Sequence, residues 1–172
     1  MSIANLLVDN NYDIFVNSIN IKNPTPVCFS ARSNAAQAYP NGQFPATKIN
    51  FNTSIITTLN YNNSTSTFTV PKTGVYYILG RSGFLYNIST ALPVQVSITI
   101  RVNNNIVRTG IKSVNSIAGF NRTELVAEFL GSLNQGDQVQ VWMEQPAGTG
   151  APNITNPQSP QEDTYFFGFL LK

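Results

Sequence analysis

Between Val94 and Val102 every second residue is apolar: Val94, Val96, Ile98, Ile100 and Val102 are separated by Gln95, Ser97, Thr99 and Arg101. A side-chain period of two puts the aliphatic set on one face of an extended strand and the polar set on the other, which predicts a half-buried antiparallel strand. Asn103, Asn104 and Asn105 follow. Asn tolerates the left-handed conformation that tight hairpins need, so the chain is expected to return through Ile106 and Val107. No window of ten or more residues places apolar side chains at helical spacing, and Asn, Thr and Val, middling to poor helix formers, dominate. Short strands without intervening helices predict an all-β sandwich or barrel.

A second hairpin is expected from Leu125 to Leu133, turning at Asn134, Gln135, Gly136 and Asp137 and returning along Val139, Val141 and Met143. Residues 145–163 hold four prolines, Gly148 and Gly150, and read as a long exposed loop. Residues 1–24 differ in pattern. Leu6, Leu7 and Val8, then Ile14, Phe15 and Val16, flank an Asp9-Asn10-Asn11 turn, a strand pair too small to bury its own core. These residues are expected to form an N-terminal extension that packs on the main domain, residues 25–172, or on neighbouring copies.

Charged residues make up 10% of the chain, against about 25% in ordinary soluble domains. Solubility must therefore come from neutral polar side chains. The net charge is +2 and the Lys and Arg are scattered singly, so the basic footprint of a nucleic-acid binder is missing. There is no apolar run long enough for membrane insertion. The N-terminus lacks a basic start and its apolar run is broken by Asp9, so it does not read as a secretory signal.

The chain contains no histidine, which removes the commonest general base and metal ligand together with every Ser-His and Cys-His pair. With a single cysteine, Cys28, the usual zinc sites cannot be built within one chain. Cys28 lies between Val27 and Phe29 and reads as a small buried hydrophobe, the alternative being an intermolecular or reactive thiol. A carbohydrate-cleaving pair would have to come from Glu124, Glu128, Asp137, Glu144, Glu162 and Asp163. Each of these fits a solvated strand, turn or loop position better, so no catalytic residue and no enzyme activity is expected. No cofactor is expected either. Calcium is compatible with the oxygen donors present, but no Asp-x-Asp-x-Asp loop names its ligands.

Two segments are apolar on both faces. In "GVYYILG" (74–80), Tyr76 and Ile78 share one face of a strand and Val75, Tyr77 and Leu79 the other. In "TYFFGFLLK" (164–172), Tyr165, Phe167, Phe169 and Leu171 share one face and Phe166, Gly168 and Leu170 the other. An antiparallel strand in a monomeric sandwich normally keeps one wet face, so a second subunit is expected to cover one sheet. The alternative cover is the N-terminal extension or a loop.

"VCFSAR" (27–32), "KINFNTSI" (48–55), "STFTVPKTGVYYI" (66–78), "LNQGDQVQVWM" (133–143) and "TYFFGFLL" (164–171) resemble, in order and separation, the successive blocks of the C1q-like domain. The resemblance covers residues 25–172. It implies a ten-stranded jelly-roll β-sandwich of the C1q and tumour necrosis factor superfamily, assembled as a homotrimer. Carried over residue by residue, it implies that Tyr77, Leu79, Phe166, Gly168 and Leu170 line the trimer centre. It likewise implies that Tyr76, Ile78, Phe167, Phe169 and Leu171 fill the sandwich.

The chain lacks the collagen stalk of many members, and its leader "NLLVDNNYDIFVNSINI" resembles those on C1q-like proteins of large DNA viruses. The function expected is a non-enzymatic homotrimeric surface module of a virion, fibre or spore coat, located on a particle or outside the cell. Its partners are expected to be itself and a host glycan or protein, met by residues 145–163 with 110–122. The alternatives are a purely structural capsid or coat protein held to its neighbours through residues 1–24, and a secreted ligand-binding protein.

Overall fold

The computed structural model describes residues 6–8, 14–16, 19–21, 27–35, 37–39, 46–56, 60–88, 93–115, 119–144, 154–155 and 164–171. Its regular elements are all strands: β1 (Leu6–Val8), β2 (Ile14–Val16), β3 (Ile19–Ile21), β4 (Cys28–Arg32), β5 (Ala38–Tyr39), β6 (Thr47–Lys48), β7 (Thr53–Ile56) and β8 (Tyr61–Asn62). There follow β9 (Thr67–Thr69), β10 (Gly74–Ile88), β11 (Pro93–Val102), β12 (Asn105–Asn115), β13 (Gly119–Leu133), β14 (Gln138–Glu144), β15 (Ile154–Thr155) and β16 (Tyr165–Leu170). Among the described residues no helix is long and apolar enough to cross a membrane.

Two antiparallel sheets form a jelly-roll sandwich. The seven-stranded sheet runs β5-β15-β10-β16-β4-β7, with β13 paired to β10, and the six-stranded sheet runs β12-β11-β14-β9-β8, with β6 paired to β14. Thirteen described strands make up the two sheets, four of them, β5, β6, β8 and β15, of only two residues, and the two-layer architecture is that of the jelly roll. Strands β1, β2 and β3 make a separate antiparallel sheet in that order. It holds three strands rather than two, because Ile19 and Ile21 alternate about Asn20 and continue the pattern of the first pair.

The alternating segment behaves as its pattern dictates. Strands β11 and β12 form a hairpin whose two loop residues, Asn103 and Asn104, have φ of 50° and 67°. Ile98 and Ile100 are fully buried between the sheets.

The segment from Leu125 to Met143 is not a hairpin. Strand β13 pairs with β10 in one sheet, whereas β14 pairs with β11, β9 and β6 in the other. The connection at residues 134–137 therefore carries the chain from one layer to the other. Gly136 adopts φ 91°, and Asp137 accepts hydrogen bonds from the Asn134 amide and the Asn103 side chain, both at 2.8 Å. A period of two followed by Gly-Asp specifies strand, turn, strand. It does not specify whether the second strand pairs with the first or crosses the sandwich.

The core between the sheets mixes aromatic and aliphatic side chains, with Val139 directly opposite Phe68. Phe29 of β4 stacks on Phe68 of β9 with ring centroids 4.2 Å apart and meets Phe166 of β16 edge-on at 4.7 Å. Tyr61 donates its hydroxyl hydrogen to the Phe51 carbonyl at 2.7 Å, which satisfies a polar atom that would otherwise be costly to bury. Ile78, Ile98, Ile100, Val139 and Val141 belong to the same buried cluster.

Candidate functional site: the outer face of the seven-stranded sheet

Strands β13, β10, β16 and β4 lie side by side, and their pairing fixes which residues share a face. Tyr77 stands opposite Leu130 on β13 and Phe169 on β16, and Phe169 in turn stands opposite Cys28 on β4. The next row is Glu128, Leu79, Phe167 and Ser30. The row after that is Val126, Arg81, Tyr165 and Arg32. Directly opposed residues project to the same side of a sheet, so these rows make one surface.

That surface faces away from the core. Leu130 is 60% exposed, Leu171 53% and Phe169 38%. Tyr77 and Phe167 are half-buried, and Leu79 is 8% exposed without belonging to the core between the sheets. The rings pack on one another: Tyr77 lies 5.5 Å from Phe169 and 6.0 Å from Phe167, and Tyr165 stacks on Phe167 at 5.9 Å. These rings therefore pack against one another along the outer face of the sheet. Such a patch on a sheet face is the usual mark of an interaction surface.

The assignment of β16 to the two faces is corrected by the register. Phe166 is fully buried in the sandwich, Gly168 is buried opposite Ile78, and Leu170 packs partly buried against the core. Phe167, Phe169 and Leu171 are on the outer side. The alternation within each strand holds, but the phase of β16 relative to β10 is the reverse of the expectation. A strand apolar on both faces carries no phase of its own; only its hydrogen-bonded neighbour supplies one. Gly168 is the clue. A Cβ there would sit 2.5 Å from Ile78 Cδ1, 2.9 Å from Phe29 Cε1 and 3.0 Å from the Tyr77 carbonyl oxygen, so the glycine serves close packing inside the sandwich.

On β10, Tyr76 and Ile78 are fully buried in the core, while Tyr77 and Leu79 lie on the outer face. Tyr76 donates its hydroxyl hydrogen to the Lys72 carbonyl at 2.6 Å. Burial pushes the Tyr77 phenol above its ordinary range, and the charge and hydrogen bond of Glu128 push it further the same way.

One end of the patch is charged. The Arg81 guanidinium lies 5.5 Å over the Tyr165 ring, donates to the Tyr165 hydroxyl at 3.3 Å, and forms an ion pair with Glu124 at 2.6 Å. Arg32 flanks Tyr165 on the other side.

The carboxylates among the described residues do not converge. Glu124 is engaged by Arg81, Glu128 sits beside Tyr77, and Asp137 is held in the crossover between the sheets. The side chain of Glu144, and Glu162 and Asp163 altogether, lie outside the described residues. Among the described residues no three His, Cys, Asp or Glu side chains come together to hold a metal ion. Cys28 is a free, half-buried thiol on the patch itself.

Of the expected binding segments, residues 110–115 and 119–122 are strand rather than loop, parts of β12 and β13. Of residues 145–163, only Ile154–Thr155 is described, as a strand between β10 and β5; the rest lies outside the described residues. Sequence reasoning missed Leu130 and Val126. Their signal is the alternation of Leu125, Ala127 and Phe129 with Val126, Glu128 and Leu130, but Glu124 and Glu128 make that face look wholly solvated.

The C1q domain family model matches residues 28–171. The chain belongs to the C1q family. Among solved structures, "Structure of Eiger TNF from S. frugiperda" superimposes with a TM-score of 0.62 at 13% identity, covering 86% of this chain and 93% of that one. "Globular Domain of Zebrafish Complement 1qA protein" superimposes with a TM-score of 0.52 at 17% identity, covering 84% and 97%. At these identities the likeness speaks for the C1q and tumour necrosis factor jelly-roll fold alone. No curated protein matches by sequence.

Proposed function

We propose that this C1q domain is a non-enzymatic module that assembles as a homotrimer through the outer face of its seven-stranded sheet. The observation that carries the reading is the Tyr77, Leu79, Phe167, Phe169 and Leu130 surface, an ordered aromatic and aliphatic patch on the side of the sheet away from the core. Covering it removes apolar area from water, the main driving force of subunit association. C1q and tumour necrosis factor domains typically form homotrimers, and C1q-like domains are typically extracellular or surface-exposed.

The trimer serves as a surface component of a particle such as a virion, fibre or spore coat, and its exposed loops meet a host glycan or protein. Low charge, the absence of histidine and the lack of a basic footprint support a contact role over catalysis or nucleic-acid binding. Three copies of each loop give avidity to weak single contacts. Residues 1–24 are proposed as an extension that contacts neighbouring proteins of the particle.

Native mass spectrometry of the purified chain tests the assembly, with a trimer expected. A glycan array probed with the same sample tests the contact role. Binding that is lost when the trimer is dissociated supports avidity, whereas equal binding by monomers contradicts it.

A further inference from the structure

The patch is apolar along most of its length, but it carries two opposite charges on separate strands that its own chain does not bring together. Arg32 lies on β4 at one side, half-buried, with its Nε buried and without a hydrogen bond. Glu128 lies on β13 at the other side, exposed. The sheet order puts β10 and β16 between them, a separation of about 14 Å at ordinary strand spacing. The neighbouring cation does not compete, because Arg81 is already held by Glu124 and Tyr165. Among the described residues neither Arg32 nor Glu128 has an ion-pair partner in its own chain.

We propose that in the trimer Arg32 of each copy pairs with Glu128 of the next, so that three identical ion pairs set the register of the assembly and select a second copy of this chain as partner. The inference rests on the trimer reading above. It follows from how a ring closes: each copy meets its two neighbours through different parts of its surface, so complementary groups belong at opposite sides of one patch. Arg32 and Glu128 stand at opposite sides, and each contributes one unit of opposite charge. Arg32 also brings a buried donor that still needs an acceptor. Apolar contacts are indifferent to small sliding displacements, whereas a charge pair is not. A chain of related fold with like charges at either position would be rejected.

A charge exchange tests this. The trimer dissociation profile is measured by sedimentation for the wild type, Glu128→Arg, Arg32→Glu and the double exchange Arg32→Glu/Glu128→Arg. Each single variant is expected to dissociate at a concentration about tenfold or more higher than the wild type, and the double exchange to return to within a few-fold of it. Glu128 is exposed, so Glu128→Arg is expected to fold even where Arg32→Glu does not. A wild-type trimer whose profile is unchanged by Glu128→Arg overturns the pairing while leaving the trimer standing. A double exchange weaker than both singles also overturns it. A wild-type chain that stays monomeric overturns the trimer reading itself.

Discussion

Tyr77 and Phe169 stand directly opposite each other on antiparallel strands, with ring centroids 5.5 Å apart, on the side of the sheet away from the core. Their immediate neighbours Tyr76 and Gly168 point inward, toward Phe68 and Phe29 respectively. Two strands thus supply both the inside of the sandwich and a patterned outside, and the consequences of substitution divide along that line.

Tyr76 and Tyr77 are adjacent in sequence but belong to different surfaces. Tyr76→Ala removes a fully buried ring and its hydrogen bond to the Lys72 carbonyl, and is expected to lower unfolding free energy by about 3–5 kcal/mol. Tyr77→Ala is expected to cost little in an isolated chain and to weaken assembly. Denaturant titration at low protein concentration, set beside sedimentation, separates the two effects. Equal loss of monomer stability in both variants would contradict the division.

Leu130→Asp and Phe166→Asp form a matched pair. Leu130 is exposed on the outer face, so a carboxylate there is expected to leave the fold intact and to prevent assembly. Phe166 is fully buried among Phe29, Phe51 and Tyr61, so the same change there is expected to abolish folding. Circular dichroism and size exclusion read the two outcomes. A folded Phe166→Asp monomer would show that the phase of β16 is wrong.

Gly168→Ala is a one-carbon probe of the same register. Its Cβ would press on Ile78, Phe29 and the Tyr77 carbonyl, and overpacking of this kind costs about 1–3 kcal/mol. A melting temperature equal to that of the wild type would place residue 168 in open space instead.

Alkali should loosen the fold. Tyr61, Tyr76 and Tyr77 are all held above the ordinary phenol value, by burial first in each case. Raised folded-state values mean that the unfolded chain gives up these protons first. Their contribution is therefore full below about pH 10 and is lost as pH rises through the unfolded and then the folded values. Chemical denaturation from neutral pH upward, with tyrosinate absorbance followed in parallel, should show a decline that is smaller in Tyr61→Phe. Stability that stays flat past the onset of tyrosine ionisation would contradict this.

Much of the fold was legible because its signals are local. The period of two from Val94 to Val102 and the Asn103-Asn104 turn specify a hairpin without reference to anything distant. The crossover at residues 134–137 was not legible, because the same turn chemistry serves a hairpin and a change of sheet. The candidate site was half legible. Both faces of β10 and β16 are visibly apolar, but which face of β16 joins Tyr77 depends on a register between residues some ninety positions apart. Gly168 held the answer in the sequence, since a glycine between phenylalanines in a strand marks close approach, yet it reads equally well as a trimer axis until Ile78 and Phe29 are placed against it.

In the proposed trimer the outer aromatic face holds three copies together. Light scattering behind size exclusion, at micromolar concentration, measures this directly. A mass of three times the 18.8 kDa chain is expected for the wild type and a single chain mass for Leu130→Asp. A wild-type mass of one chain, or a Leu130→Asp variant that remains three chains, would contradict it.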